Sequence, residues 1–258
     1  MITGLLYIGS SGEASEITLT RIYDNVPKNP ALATRWGTAS LIEGLDKTIL
    51  FDTGGLWAIL LSNMRELGIN PETIDVVVLS HIHSDHTGGL EGLLRVNDHL
   101  CVYLPAPFPQ RIKKRIAAGG ADVIEVDGPV KICDRAFSTG TMGTFFKEQA
   151  LVIESEDGII VITGCSHPGV ENFVSRAMEI TGGRVYFVTG GFHLGLSTSG
   201  RIRGTVDQLK RMNVRKVGPS HCTGKRAMQI FRDEWGEDFV DMGCGARFSV
   251  KGAREAHR

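Results

Sequence analysis

The run IDVVVLS (residues 74–80) leads without a break into HIHSDH (residues 81–86). An apolar stretch of strand length, with no polar alternation, is the pattern of a strand buried on both faces, the normal state of a strand inside a sheet covered by helices. Such a strand delivers its next residues to the sheet edge, and here they are three imidazoles and a carboxylate within six positions. Burying four such groups without partners is expensive, so ordinary structural histidines are a poor explanation and a metal centre is a good one. In extended or turn-like backbone the i and i+2 side chains share one side, which lets His81 and His83 hold one cation. Asp85 and His86 follow in a tight turn and can reach a second. Imidazole and carboxylate suit zinc, manganese or iron, and two such ions ~3.5–4 Å apart can polarise a substrate and activate water between them.

The remaining pattern is that of an α/β chain. ITLTRIYDN, TASLIEG and KTILFDTGG read as strands, with a turn at Leu45-Asp46-Lys47. LWAILLSNMREL has apolar residues at 56, 57, 60, 61, 64 and 67, one helical face, and Gly68 is placed to end it. The middle is less regular, with Pro105, Pro107 and Pro109 before a basic helix, QRIKKRIAAGG. ALVIES and GIIVITGCSH form a hairpin around Glu156-Asp157-Gly158, and the last third alternates helix and strand: PGVENFVSRAMEI, RVYFVTGGFH, TVDQLKRM, KVGPSH, KRAMQIFRDEW. His81, His167, His193 and His221 each follow a strand-like segment closely. Side chains at the carboxyl ends of adjacent strands converge on one rim, where open α/β sheets hold their sites. A β-rich front and an alternating back predict two sheets in one domain, residues 1–258, with helices outside.

Composition narrows the classes. Lys+Arg 28 against Asp+Glu 29 leaves a net charge of -1, which provides no electrostatic basis for nucleic acid or an anionic membrane. The five cysteines form no CxxC pair and their count is odd, which speaks against both a thiolate zinc module and a disulfide framework. A reducing cytoplasm is the expected compartment. The first residues, MITGLLYIGSSGEASE, have no basic segment followed by a long apolar one, and no run reaches membrane-span length.

HxHxDH after an apolar strand, with FDTGG upstream and ITGCSHPGVEN, VTGGFHL and PSHCTG downstream, resembles the metallo-β-lactamase fold superfamily over nearly the whole chain. The order of these motifs is similar to the branch that contains a dihydropteroate-synthase-like archaeal enzyme of methanopterin biosynthesis and related metal-dependent hydrolases. The resemblance implies a four-layer αβ/βα sandwich, two mixed sheets flanked by helices with metal at one edge. It implies that His81, His83 and His167 hold one ion, that Asp85, His86 and His221 hold another, and that Asp52 supports the site from behind by accepting a hydrogen bond. The departure is at His193, where the superfamily pattern implies an aspartate that bridges both ions. A neutral imidazole has one free lone pair and cannot bridge, so His193 is expected to bind one ion or contact substrate, and the second ion to be held more weakly.

Other residues carry weaker readings. Cys165 and Cys222 flank the ligand positions; zinc accepts thiolate ligands, but both are read first as small buried residues under the site. Trp36, near Tyr23, Asp24 and Asn25, offers a stacking wall for a ring or else belongs to the core. Arg111, Lys113, Lys114 and Arg115 make the strongest basic run; Arg111 and Lys114 are candidates for a phosphate or carboxylate, against the simpler reading of a solvated helix face. No GxSxG is present, which disfavours a serine hydrolase.

The expected function is a metal-dependent hydrolase in which metal-activated hydroxide acts on an ester or phosphodiester-type small-molecule substrate, with Asp85 and His193 as catalytic groups and one or two divalent ions, zinc first, as cofactor. The alternative is a transferase joining a dihydropterin to a phosphoribosyl-aminobenzene with loss of pyrophosphate. A non-catalytic metal-binding module ranks third. A phosphate-bearing substrate suits both enzymatic readings.

Overall fold

The computed structural model describes residues 15–252. The N-terminal segment read above for targeting signals lies outside them through residue 14, as does His257.

Apolar strands, most of them buried on both faces, build two sheets from one chain. Strands β1 (Glu16–Asp24), β2 (Thr38–Glu43), β3 (Ile49–Phe51), β4 (Val76–Val78), β5 (Cys101–Pro105) and β6 (Asp122–Val126) belong to the first sheet. Strands β7 (Val130–Cys133), β8 (Ala136–Ser138), β9 (Leu151–Ser155), β10 (Gly158–Thr163), β11 (Val185–Gly191) and β12 (Lys216–Ser220) form the second, and β13 (Arg247–Lys251) returns to the first. The orders are β13-β1-β2-β3-β4-β5-β6 and β12-β11-β10-β9-β8-β7. Both sheets are mixed: β3 to β6 run parallel while β13 to β3 alternate, and β10 to β12 run parallel while β7 to β10 alternate.

Alternate residues face alternate layers. Ile49, Phe51, Val76 and Val78 from the first sheet meet Leu151, Ile153, Ile160 and Ile162 from the second in a central apolar layer. Their neighbours Leu50, Val77 and Leu79 face outward onto α1 (Trp57–Glu66), α3 (Leu90–Leu94) and α4 (Gln110–Ala118). Val152, Ile159 and Val161 face α5 (Val170–Thr181), α6 (Ser199–Arg211) and α7 (Lys225–Trp235). The order is helix, sheet, sheet, helix, the four-layer sandwich the sequence resemblance implied. The one-turn α2 (Ser84–Thr87) holds Asp85 and His86.

Most sequence-level elements hold. Helix α1 buries Leu60 and Met64, and Gly68 adopts φ 70 after it. Ser155 and Gly158 pair across the expected hairpin. The stretch read as irregular contains β5 to β8. Strands β7 and β8 are short, and β6 buries only Val126 fully, so neither length nor alternation marked them. Helix α6 starts at Ser199, well over a turn before the periodic segment that opens at Thr205, because Thr198 caps it by accepting from Arg201 N. All five cysteines are free thiols. No helix among the described residues is long and apolar enough to cross a membrane.

Asn63 is the exception on the buried face of α1. Its amide oxygen accepts from Ala33 N, and its nitrogen donates to the carbonyls of Ile22 and Ala33, each at 2.9 Å. This clamp ties β1 to the loop that carries Trp36. Asn63→Ala leaves three backbone groups in want of partners, each costing roughly 1–3 kcal/mol when buried. Chemical denaturation is expected to show a loss of about 2–4 kcal/mol; an unchanged midpoint would show that water replaces the clamp.

Candidate metal centre

The carboxyl ends of β3, β4, β10, β11 and β12 meet at one edge, and the chain turns sharply there. Asp52, Ser166, His193 and His221 all take left-handed backbone, with φ of 60, 61, 50 and 50. Non-glycine residues avoid this region, at a cost of order 1 kcal/mol or more each. Four such residues at one rim are held there by the surrounding bonds. Helices α2 and α3 approach the Asp52 turn closely. A Cβ on Gly88 would lie 2.2 Å from the Gly55 carbonyl oxygen, and one on Gly89 equally near that of Thr53, which is why glycine stands at both.

Five imidazoles gather at this edge. The His81 ring centroid is 4.6 Å from His83, 4.1 Å from His86 and 4.8 Å from His167, and His86 is 5.1 Å from His221. Four of the five have a defined partner on the outer nitrogen. His86 Nδ1 lies 2.7 Å from Asp52 Oδ2, His167 Nδ1 2.9 Å from Glu148 Oε2, and His221 Nδ1 2.7 Å from Asn25 Oδ1. Amide oxygens and ionised carboxylates only accept, so these three Nδ1 atoms carry protons and donate; burial pushes the Asp52 pKa up to about 7, and the N–H and hydroxyl of Ser80 favour its ionised form. Ser80 Oγ donates its one proton to Asp52 Oδ2 at 2.7 Å, so it accepts from His81 Nδ1 at 2.9 Å. All four rings therefore turn an unprotonated Nε2 inward. His83 turns Nδ1 inward instead, 3.0 Å from His81 Nε2.

The inward atoms are acceptors facing acceptors. Asp85 Oδ2 is 3.6 Å from His86 Nε2 and 3.4 Å from His221 Nε2. Burial, with neighbouring imidazoles, pushes the pKa of His81 and of His86 down to about 3, so both stay neutral at pH 7 with lone pairs available. Burial opposes the ionisation of Asp85, but the facing rings of His221 and His86 outweigh it and hold its carboxyl well below the usual carboxylate range. Such a convergence repels itself unless a cation stands at its centre. The donor set is that of borderline divalent ions, so the residues present fit one or two of them. Two groups of donors lie within 4.8 Å of one another, one containing His81 and His167 and the other His86 and His221, and Cys165 belongs to both.

The structure brings the sequence candidates together unevenly. His81, His83, Asp85, His86, His167 and His221 converge, and Asp52 lies directly behind His86. Trp36 is exposed and reaches the rim, its ring centroid 4.9 Å from that of His221. His193 is exposed beside His167, at 4.5 Å between ring centroids. Arg111 and Lys114 are not part of this assembly. Helix α4 buries Lys113 and Ile116, which turns Arg111 and Lys114 to solvent, and neither lines the two larger cavities that open on the histidines. Cys165 does not merely fill space beneath the site: its Sγ is 3.3 Å from His86 Nε2 and 3.5 Å from His221 Nε2.

Glu148 carried no sequence signal beyond a lone acid before an apolar strand. Fully buried, it accepts from the backbone N–H groups of Cys165, Ser166 and His167 at 2.7, 2.8 and 2.9 Å, as well as from His167 Nδ1. Burial opposes its ionisation, yet the His167 bond and the imidazole charges bring its pKa down to about 2. Asn25, named in the sequence only as a neighbour of Trp36, orients His221. Glu148→Gln places an amide NH₂ against N–H donors. We expect a loss of about 3 kcal/mol in denaturant unfolding and metal affinity about 10–100-fold lower by competitive chelator titration. Unchanged affinity would mean that His167 is oriented by something else.

Comparison with known proteins agrees with this geometry. Residues 37–114, which include HIHSDH, match the metallo-beta-lactamase superfamily. The 7,8-dihydropterin-6-methyl-4-(beta-D-ribofuranosyl)-aminobenzene-5'-phosphate synthase of Methanocaldococcus jannaschii is 32% identical over 93% of this chain and 98% of its own. Among solved structures, a metal-dependent hydrolase of the beta-lactamase superfamily superposes with a TM-score of 0.77 at 27% identity, covering 91% of this chain and 99% of that one. A metallo-beta-lactamase fold protein of Bacillus subtilis, at 15% identity and a TM-score of 0.68 over 91% and 99% of the two chains, shares the fold. Nearly full-length identity to the archaeal synthase, a family match over the histidine motif and the common four-layer architecture lead to one conclusion: the chain belongs to the metallo-beta-lactamase superfamily.

Proposed function

We propose that this protein is a metal-dependent hydrolase acting on an ester or phosphodiester bond of a small, phosphate-bearing molecule. The observation that supports it is the inward convergence of His81, His83, His167, Asp85, His86 and His221, with the outer nitrogens of His81, His86, His167 and His221 tied to acceptors. His81, His83 and His167 would hold one divalent ion and Asp85, His86 and His221 a second, with zinc the first expectation and manganese or iron accepted by the same donors. When bound, such ions acidify water and neutralise charge on the substrate. The two sheets work as one domain, and five free thiols suit a reducing compartment such as the cytoplasm.

The chain's own groups divide the remaining tasks. Asp85, ionised and only half-buried, accepts the proton of the attacking nucleophile. His193 stands at the rim with its pKa raised, chiefly by its hydrogen bond with Cys222, and donates to charge developing on the substrate. A cavity of about 800 Å³ is lined by Trp36, Leu196, Met228, Lys225, His193 and His221. Its apolar walls suit a ring, and Lys225 supplies positive charge for a phosphate.

A second reading draws on the 32% identity to the synthase and on the presence of another cavity, about 670 Å³, across His167, lined by Phe145, Phe146, Asn172 and Arg176. Two organic pockets flanking one centre suit the joining of a dihydropterin to a phosphoribosyl-aminobenzene with loss of pyrophosphate. Metal-loaded protein should be assayed with a chromogenic phosphodiester, a lactone, and a dihydropterin pyrophosphate with and without the aminobenzene partner. Hydrolysis of the first or second is expected. Consumption of the pterin only when the partner is present, with the others inert, would replace hydrolysis by transfer.

Asp85→Ala is expected to lower kcat about a hundred- to ten-thousand-fold with an unchanged melting temperature; full retained activity would overturn its role. Trp36→Ala should raise KM for ring-bearing substrates up to about tenfold at nearly constant kcat, the size of an aromatic contact.

A further inference from the structure

We propose that the thiolate of Cys165 bridges the two metal ions, taking the place of the carboxylate absent at His193; this rests on the metal centre proposed above. Among the described residues, Cys165 is the one member common to all three clusters of metal-binding side chains: with His81 and His167, with His86 and His221, and with His193 and Cys222. Its sulfur stands almost evenly between the donors of one ion, 3.3 Å from His86 Nε2 and 3.5 Å from His221 Nε2, while remaining within 4.8 Å of the donor atoms of His81 and His167.

Donor counting gives the sulfur its role. His81, His83 and His167 supply three nitrogens to one ion; His86, His221 and Asp85 supply two nitrogens and an oxygen to the other. Each set has three protein donors, and one shared sulfur adds a fourth to both while leaving a further position on each ion for water or substrate. Imidazole has a single free lone pair and cannot do this, whereas a thiolate has three. With metal–sulfur bonds of ~2.3 Å and an angle at sulfur of roughly 100–120°, the ions stand ~3.5–4 Å apart, the spacing of two-ion catalytic sites. The thiol proton leaves to solvent on loading. The added negative charge compensates for the missing carboxylate, so the second site is not weakened in the way the sequence alone suggested.

The main chain places the sulfur. Cys165 is 4% exposed and its N–H is held by Glu148 Oε1 at 2.7 Å, so Glu148 positions both His167 and the bridge. Cys222 is a poorer candidate, since it shares a cluster with His193 and Cys165 but not with His81 or His86. Its sulfur contacts the Cys165 carbonyl at 3.6 Å instead.

Cobalt(II) titration of metal-free wild-type protein tests the bridge without any substrate. Sulfur-to-cobalt charge-transfer absorption should grow through both equivalents, and the paramagnetic resonance of the first ion should lose intensity as the second couples to it. Cys165→Ser should lose the absorption and weaken the second ion by at least about tenfold, the loss that removal of even an outer hydrogen-bond partner brings. Cys165→Asp should bind both ions without the absorption, and Cys222→Ser should keep it. Absorption that saturates at one equivalent, persists in Cys165→Ser, or disappears only in Cys222→Ser overturns the bridge while leaving the histidine centre intact. Failure of the wild type to bind cobalt at all would overturn the metal centre itself.

Discussion

The centre depends on where each imidazole keeps its proton. An imidazole has two nitrogens, and only the one without hydrogen can offer a lone pair to a cation. Asp52, Glu148, Asn25 and Ser80 each hold an Nδ1–H from behind, and this turns the opposite nitrogens of His86, His167, His221 and His81 toward one another. Without those acceptors the rings could rotate or exchange tautomers, and the lone pairs would not converge. The acceptors are themselves anchored. Asp52 takes both the N–H and the hydroxyl of Ser80, while Glu148 takes three successive backbone N–H groups.

This arrangement explains why the strand ends bend as they do. The left-handed residues at the rim would relax in an isolated loop. Here Glu148 holds the loop around Ser166 through its backbone, and the N–H of His221 is held by Asp24 Oδ1 at 3.2 Å. The four-layer sandwich supplies the rigidity. Its central apolar layer fixes the two sheets against each other, so residues separated by well over a hundred positions can be aligned to within a hydrogen bond. Asp24 and Asn25 at the end of β1 reaching His221 after β12 is the clearest case.

Much of this was legible in the amino-acid order, for physical reasons that differ by element. The doubly buried strand before His81 was visible because burial on both faces removes polar alternation, and α1 because its apolar residues repeat at helical spacing. The cluster in HIHSDH was visible because polar groups are concentrated where the chain leaves the core. Strands β6 to β8 were not, since β7 and β8 are short and β6 is largely exposed. Arg111 and Lys114 made a conspicuous run, yet the helix that carries them turns them to solvent. Charge density in a sequence says nothing about which face a helix buries.

By itself, then, the sequence determined the types of candidate donor and the four strand ends that carry them, because those are local properties of spacing and hydrophobic pattern. Only the tertiary structure decided which groups stand behind the histidines and what lies between the two sets of donors. Glu148 and Asn25 carry no local signature, and Cys165 carries only its place beside His167. Their roles come from long-range packing of two sheets, which brings a lone acid, an amide and a thiol to within hydrogen-bond reach of imidazoles far away in the chain.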